Sequence, residues 1–244
     1  MAPNPQKVFC IGLSRTGTTA LSHALDKLGI QTLHYSLDVY VQQNKLDEQL
    51  VFRPLLSLSR YKRWRLNKEI KAKQVKNIQY LFDKYQGFAD LPFPKFYKEL
   101  HKKYPNAKFI LTHRDEIKWL KSMQWLYNDA AVIWKHGWLD NEIMQWTYGT
   151  HVYDKKKLIQ AYRTHLSEVS AYFKGNKNFI SLDLDRGDLH YKNLCTFLEL
   201  PVIDKPVERI NTPQTPTDNE RKRYWLLKQT DVLNLSQKLL KKLF

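Results

Sequence analysis

Eight consecutive residues, Gly12-Leu13-Ser14-Arg15-Thr16-Gly17-Thr18-Thr19, have the types and spacing to hold an oxyanion. They keep the frame of the G-x4-G-K-[ST] phosphate loop, with Thr18 standing where the lysine would be. Glycines let the backbone curl so that successive N–H groups point at an anion. A following helix adds unpaired N–H groups and a positive dipole end. Loss of the lysine removes the group that reaches the β and γ phosphates of a nucleoside triphosphate, which counts against a kinase or ATPase. Arg15 supplies a cation inside the loop, and Thr16, Thr18 and Thr19 supply hydroxyl donors around a smaller, less charged group. Such charge compensation requires no metal. A glycine-threonine turn alone is only a turn; the strand pattern before it and the helix pattern after it give it meaning.

A second anion-binding pattern follows in T-H-R-D-E-I-K-W-L-K-S, where Arg114 leaves an apolar strand and Ser122 lies two helical turns into the next helix. Two turns span about 11 Å along the axis, so both can flank one phosphate only if the strand end bends back along the helix. The first loop resembles the phosphosulfate loop of the P-loop sulfotransferase superfamily, P-[KR]-[ST]-G-T-T, read here as S-R-T-G-T-T with Ser14 in place of proline. Arg114 and Ser122 match the superfamily's other signature, an Arg and a later Ser that hold the 3'-phosphate of the donor. The resemblance covers residues 7 to 36 and 88 to 124 best, and reaches more weakly to Leu194 in LCTFLELP and Asn211 in ERINTP. It implies a sulfotransferase that uses 3'-phosphoadenosine-5'-phosphosulfate (PAPS) as co-substrate and releases 3',5'-adenosine bisphosphate (PAP), without a metal. Arg15, Thr16, Gly17, Thr18, Thr19, Arg114 and Ser122 would bind the donor, and a small molecule or glycan would be the acceptor.

Sulfuryl transfer to a hydroxyl or amine needs a base near the acceptor and cations near the leaving oxygen. Arg15 fits the second role. For the first, F-A-D-L-P puts Asp90 at a strand end, where the cytosolic sulfotransferases carry a catalytic His in a similar H-L-P turn. Asp90 is the preferred base, although an Asp there also caps turns. His34, at the end of the second strand, is the rival, since its ordinary pKa suits a base. Asp38 is a third candidate, and His113 is expected to orient the strand end beside Arg114.

These residues need elements to place them. Lys7 to Leu13 reads as a strand, ALSHALDKLG as a helix stopped by Gly29, and QTLHYS as a second strand. QGFADLP, NAKFILTHR and KNFISLDL read as further strands. Helices are expected over PKFYKELHKKY, DEIKWLKSMQWL, Tyr153 to Phe173 and LHYKNLCTFLEL. The alternation predicts an α/β three-layer P-loop fold, a central parallel sheet flanked by helices, in a single domain over residues 1–244. Residues 1–6 would be a tail and 217–244 a closing helix. The basic stretch 60–76 reads as a solvated helix face. The segment from Gln124 to Tyr153, which includes Trp125, Trp134, Trp138 and Trp146, shows no clean period and suggests a core or lid.

The balance of 40 Lys and Arg against 24 Asp and Glu, a formal net charge of +16, sets up a field that attracts anions. Charge alone also fits a basic nucleic-acid-binding protein, which with a P-loop nucleotide-dependent kinase-like enzyme forms the alternative. Thr18 in place of the lysine counts against the kinase-like enzyme, the nucleic-acid reading lacks a motif, and no specific nucleic acid is expected. Arg209 and the Arg221 to Arg223 cluster read as surface charge. Two distant cysteines, Cys10 and Cys195, cannot make a disulfide framework or a four-ligand zinc site. MAPNPQKVF lacks the apolar stretch of a secretory signal, and no apolar run is long enough to span a bilayer, so a cytoplasmic protein is expected.

Overall fold

A computed structural model of the protein describes residues 6–35, 79–130, 138–210 and 216–222. Strand β1, Val8–Cys10, is buried along its whole length, as a continuous apolar run between two covered faces must be. Beside it lie β2 (Thr32–His34), β3 (Gly87–Ala89), β4 (Lys108–His113) and β5 (Phe179–Asp183). All pairs are parallel, in the order β2-β3-β1-β4-β5. The parallel α/β sheet expected from the alternation is the one found. The strand that follows the first helix does not pair with β1, however, because β3 is inserted between them.

Register explains the two core layers. Phe9 aligns with Phe88 on one side and Phe109 on the other, and Phe109 aligns with Phe179. Their rings form a row, with centroids 5.2 Å apart for Phe9 and Phe88 and 5.3 Å for Phe9 and Phe109. Phe82, Phe93, Tyr104 and Phe173 pack against the row. Residues one step along point the other way, so Val8, Cys10, Ala89, Ile110 and Leu182 form an aliphatic layer. Helix α1 (Thr18–Lys27) covers it with Leu21 and Leu25, and the helix at Tyr191–Leu198 covers it with Tyr191, Leu194 and Leu198. Burying one such side chain is worth about 1.5–3 kcal/mol. Both cysteines are buried thiols.

In chain order the remaining helices are α2 (Gln79–Lys84), α3 (Tyr97–Lys103), α4 (Glu116–Trp125), α5 (Trp138–Tyr148) and α6 (Lys155–Tyr172), with Tyr191–Leu198 as α7. Asp115 accepts a hydrogen bond from the Lys118 amide at 3.0 Å and so caps the start of α4. Helix α5 lies in the aromatic segment whose sequence showed no period.

The chain divides into two compact units. The first comprises Met1–Ser36, Ile78–Lys121 and Lys155–Thr212, and the second Leu37–Asn77, Ser122–Asp154 and Pro213–Phe244. The sheet belongs to the first. Within the second, Tyr127 donates to the Thr150 carbonyl at 3.0 Å and Arg221 pairs with Asp129 at 2.9 Å. Arg209 is exposed. The 60–76 stretch, Asp38, Trp134, Asn211 and Arg223 lie outside the described residues, as does the expected closing helix beyond residue 222; residues 218–222 are helical. No helix among the described residues is long and apolar enough to cross a membrane.

The chain leaves β1 toward β2 on one side of the sheet and leaves β4 toward β5 on the other. Between these adjacent strands the connections diverge, and at such a point a crevice opens at the carboxyl ends. Residues 12–19 follow β1 and Arg114 follows β4.

Candidate functional site

The 12–19 loop is built by an inward and outward alternation. Ser14, Thr16 and Thr18 are buried, whereas Arg15, Gly17 and Thr19 are half-exposed. Two left-handed residues make this path possible, Arg15 at φ 69° and Gly17 at φ 81°. Gly12 passes so close to β4 that a Cβ there would lie 2.1 Å from Thr112 Oγ1 and 2.6 Å from the Thr112 carbonyl oxygen. Only glycine fits. Gly17 caps α1 without a side-chain hydrogen bond, so no cap side chain satisfies the N–H groups of the helix's first turn.

Two loop carbonyls, and that of Ile11 just before the loop, are held by side chains. His165 Nε2 lies 2.8 Å from the Ile11 oxygen, Thr16 Oγ1 donates to the Leu13 oxygen at 2.6 Å, and Trp119 Nε1 donates to the Ser14 oxygen at 3.0 Å. Carbonyls held this way are turned to side chains, an arrangement suited to a loop whose N–H groups meet an anion. Burial pushes the His165 pKa down to about 4, opposed by its bond to Ile11. A neutral ring donating from Nε2 is therefore the state that holds the carbonyl. Thr16 is fully buried, and its hydroxyl also lies 2.9 Å from Thr112 Oγ1.

Asp90 follows β3 with a left-handed backbone, φ 64°, and precedes a cis Leu91–Pro92 bond. Asp90 is 7% exposed, and its carboxylate accepts from Ser14 Oγ at 2.6 Å, Thr18 Oγ1 at 2.7 Å and the Leu91 amide at 2.8 Å. His34 ends β2 in register with Ala89, which brings its Nε2 to 3.4 Å from Asp90 Oδ2. The same nitrogen is 3.3 Å from Thr18 Oγ1 and 3.4 Å from Thr19 Oγ1. The two candidate bases thus stand together. An Nε2–H tautomer of His34 would point its proton at Asp90 and leave Nδ1 as the proton acceptor.

Arg114 is held by one hydroxyl. Tyr162 accepts from the Arg114 amide at 3.0 Å and donates to the Arg114 carbonyl at 2.6 Å. The Arg114 Nε is buried and has no hydrogen-bond partner among the described residues, which suits a site for an anionic oxygen. Arg114 and Arg15 share one field: burial lowers the Arg15 pKa most, Asp90 opposes the change, and the Arg114 charge lowers it further. Ser122 lies on α4 and opens the middle segment of the second unit. The main chain of His113 pairs with Asp183 in the β4–β5 ladder.

Sequence reading did not single out Trp119, Tyr162 or His165. Trp119 sits five residues past Arg114, a spacing that could have drawn notice. Tyr162 and His165 come from a remote helix and carry no local signal.

A family model described as "Sulfotransferase domain" matches residues 7–215. Ava biosynthesis cluster protein M of Aspergillus versicolor is 34% identical over 119 residues, 48% of this chain. The matched stretch spans only 42% of that relative's length. The crystal structure of a sulfotransferase from Alicyclobacillus acidocaldarius is similar at a TM-score of 0.47 and 13% identity, covering 93% of this chain and 92% of that one.

Proposed function

The chain belongs to the sulfotransferase domain family, and from that premise we propose that it moves a sulfuryl group from PAPS to a hydroxyl or amine of a small-molecule or glycan acceptor. When bound, the donor supplies the sulfuryl group and leaves as PAP. The N–H groups of the 12–19 loop, with Arg15 and Thr19 on its outward side, bind the phosphosulfate end and stabilise charge on the leaving oxygen. Thr16, Gly17 and Thr18 contribute through the backbone, since the two hydroxyls are committed to Leu13 and Asp90. Arg114 binds the 3'-phosphate. The acceptor's proton goes to the Asp90–His34 pair, in which Asp90 accepts it directly or orients His34 to do so.

One observation carries this reading: two arginines that share a field, Arg15 in an N–H cradle and Arg114 with its buried, unpartnered Nε at the neighbouring strand end. Two cationic groups on adjacent strands suit a ligand with two separate anionic ends. Thr18, in the place of a phosphate-loop lysine, is turned to Asp90, which suits metal-independent transfer better than triphosphate chemistry.

Thermal shift with PAP and with ADP, each with and without magnesium, tests the reading through mass-action stabilisation of the native state. A metal-independent shift specific to PAP is expected. A preference for ADP with magnesium, or no nucleotide effect, would overturn it.

A further inference from the structure

Between the two anion-binding strand ends runs a continuous set of buried contacts that binding of the donor does not itself require. Tyr162 holds both backbone groups of Arg114 with one hydroxyl. Its ring stacks on Trp119, with centroids 4.2 Å apart and planes 19° from parallel. Trp119 is fully buried, and its Nε1 donates to the Ser14 carbonyl. Arg114 is thus joined to the middle of the 12–19 loop through one hydroxyl, one ring stack and one indole N–H.

We propose that Tyr162 and Trp119 are positioning residues that couple the 12–19 loop to Arg114, so that an anion bound at one strand end tightens the other. The inference rests on the donor reading above, in which a single ligand touches both ends. The physical reason is geometric. A phosphate drawn onto the loop N–H groups pulls on the peptide plane of Ser14, whose oxygen is tied to Trp119. The stacked pair transmits that restraint to the backbone from which the Arg114 side chain springs. Burial pushes the Tyr162 hydroxyl up to about 12, partly offset by its bond to Arg114, so it stays protonated and can keep donating to the carbonyl. Coupling of this kind is reciprocal: whatever the loop ligand does for Arg114, a ligand on Arg114 does for the loop.

Tyr162→Phe separates this role from general packing, because the ring and its stack remain while the hydroxyl is lost. The experiment measures the affinity of PAP and of adenosine 5'-monophosphate (AMP), which lacks the 3'-phosphate, for both proteins by calorimetry. Losing two backbone restraints is expected to weaken PAP about tenfold. AMP should change by less than about twofold, so the preference for PAP falls by about fivefold or more. A variant that keeps the full preference overturns the coupling. A wild-type protein with no preference for PAP over AMP overturns the donor reading itself, and the coupling with it, so the two failures are distinguishable.

Should Tyr162→Phe not fold, hydrogen exchange at the Arg114 amide in the wild type answers the same question. AMP engages only the loop end, yet it should slow exchange of an amide held by Tyr162 at the other. Unchanged exchange overturns the proposal.

Discussion

The ends of β1 and β3 differ from the end of β4 in how their polar groups are satisfied. At the first, Ser14, Thr18, the Leu91 amide and His34 converge on Asp90, and the carbonyls of Ile11, Leu13 and Ser14 are held by His165, Thr16 and Trp119. At the second, the backbone of Arg114 is clamped by Tyr162, but its Nε is buried without a partner among the described residues. A region whose hydrogen bonds are closed internally is preorganised: it need not rearrange when charge develops. A guanidinium with a buried unmatched donor gains most from a ligand. The contrast fits the proposed function, with chemistry at the first end and recognition at the second.

The largest effect should come from Asp90→Asn, which keeps a residue type that tolerates left-handed backbone. Turnover is expected to fall about 10³-fold, with PAP affinity within about threefold of wild type. Equal losses in rate and affinity would erase the division between the two ends. Arg114→Met should do the reverse, costing PAP about 100-fold in affinity while AMP binds nearly as before; equal weakening of both nucleotides would mean that Arg114 does not read the 3'-phosphate.

Two smaller effects measure how firmly the first end is braced. Gly12→Ala forces a Cβ onto Thr112, including its backbone oxygen, and should destabilise the protein by about 3 kcal/mol in urea unfolding. Full stability in that variant would mean that the close approach of β1 and β4 is not required. His165 gives the mildest test. Its folded-state pKa lies below the unfolded value, so the unfolded chain binds more protons between about pH 6.5 and 4 and stability falls as pH drops through that window. Lys95 and Glu168 act on the ring as weaker, opposing charges. Between pH 7 and 5 the His165 contribution should be about 2 kcal/mol, and His165→Gln should remove it.

How much of this could be read in the sequence depended on distance along the chain. β1, the loop and α1 are contiguous, and an apolar run, a glycine-threonine turn and leucines at helical spacing announce them locally. The position of Arg114 at a strand end was legible for the same reason, whereas its proposed role came from the family resemblance. The partners of Asp90 were not, because Ser14 and Thr18 reach it only once β3 has inserted beside β1. Asp90 and His34 read as rivals; the register of β2 on β3 makes them neighbours. Helix α5 was hidden by tryptophans and tyrosines too dense to reveal a period. Trp119 and Tyr162 meet through packing between α4 and α6, which no local pattern encodes.

Arg15, Tyr35 and Asp90 are non-glycine residues with left-handed backbone; Tyr35 and Asp90 directly follow β2 and β3, and Arg15 lies in the loop after β1. Each such residue costs on the order of 1 kcal/mol that glycine would avoid. Glycine at Arg15 or Asp90 would relieve the backbone and delete the side chain on which the proposed chemistry depends. Stability and activity are therefore in competition at these positions. A programme of stabilising substitutions guided by backbone comfort alone would select, at this rim of the sheet, for a sturdier and inert protein.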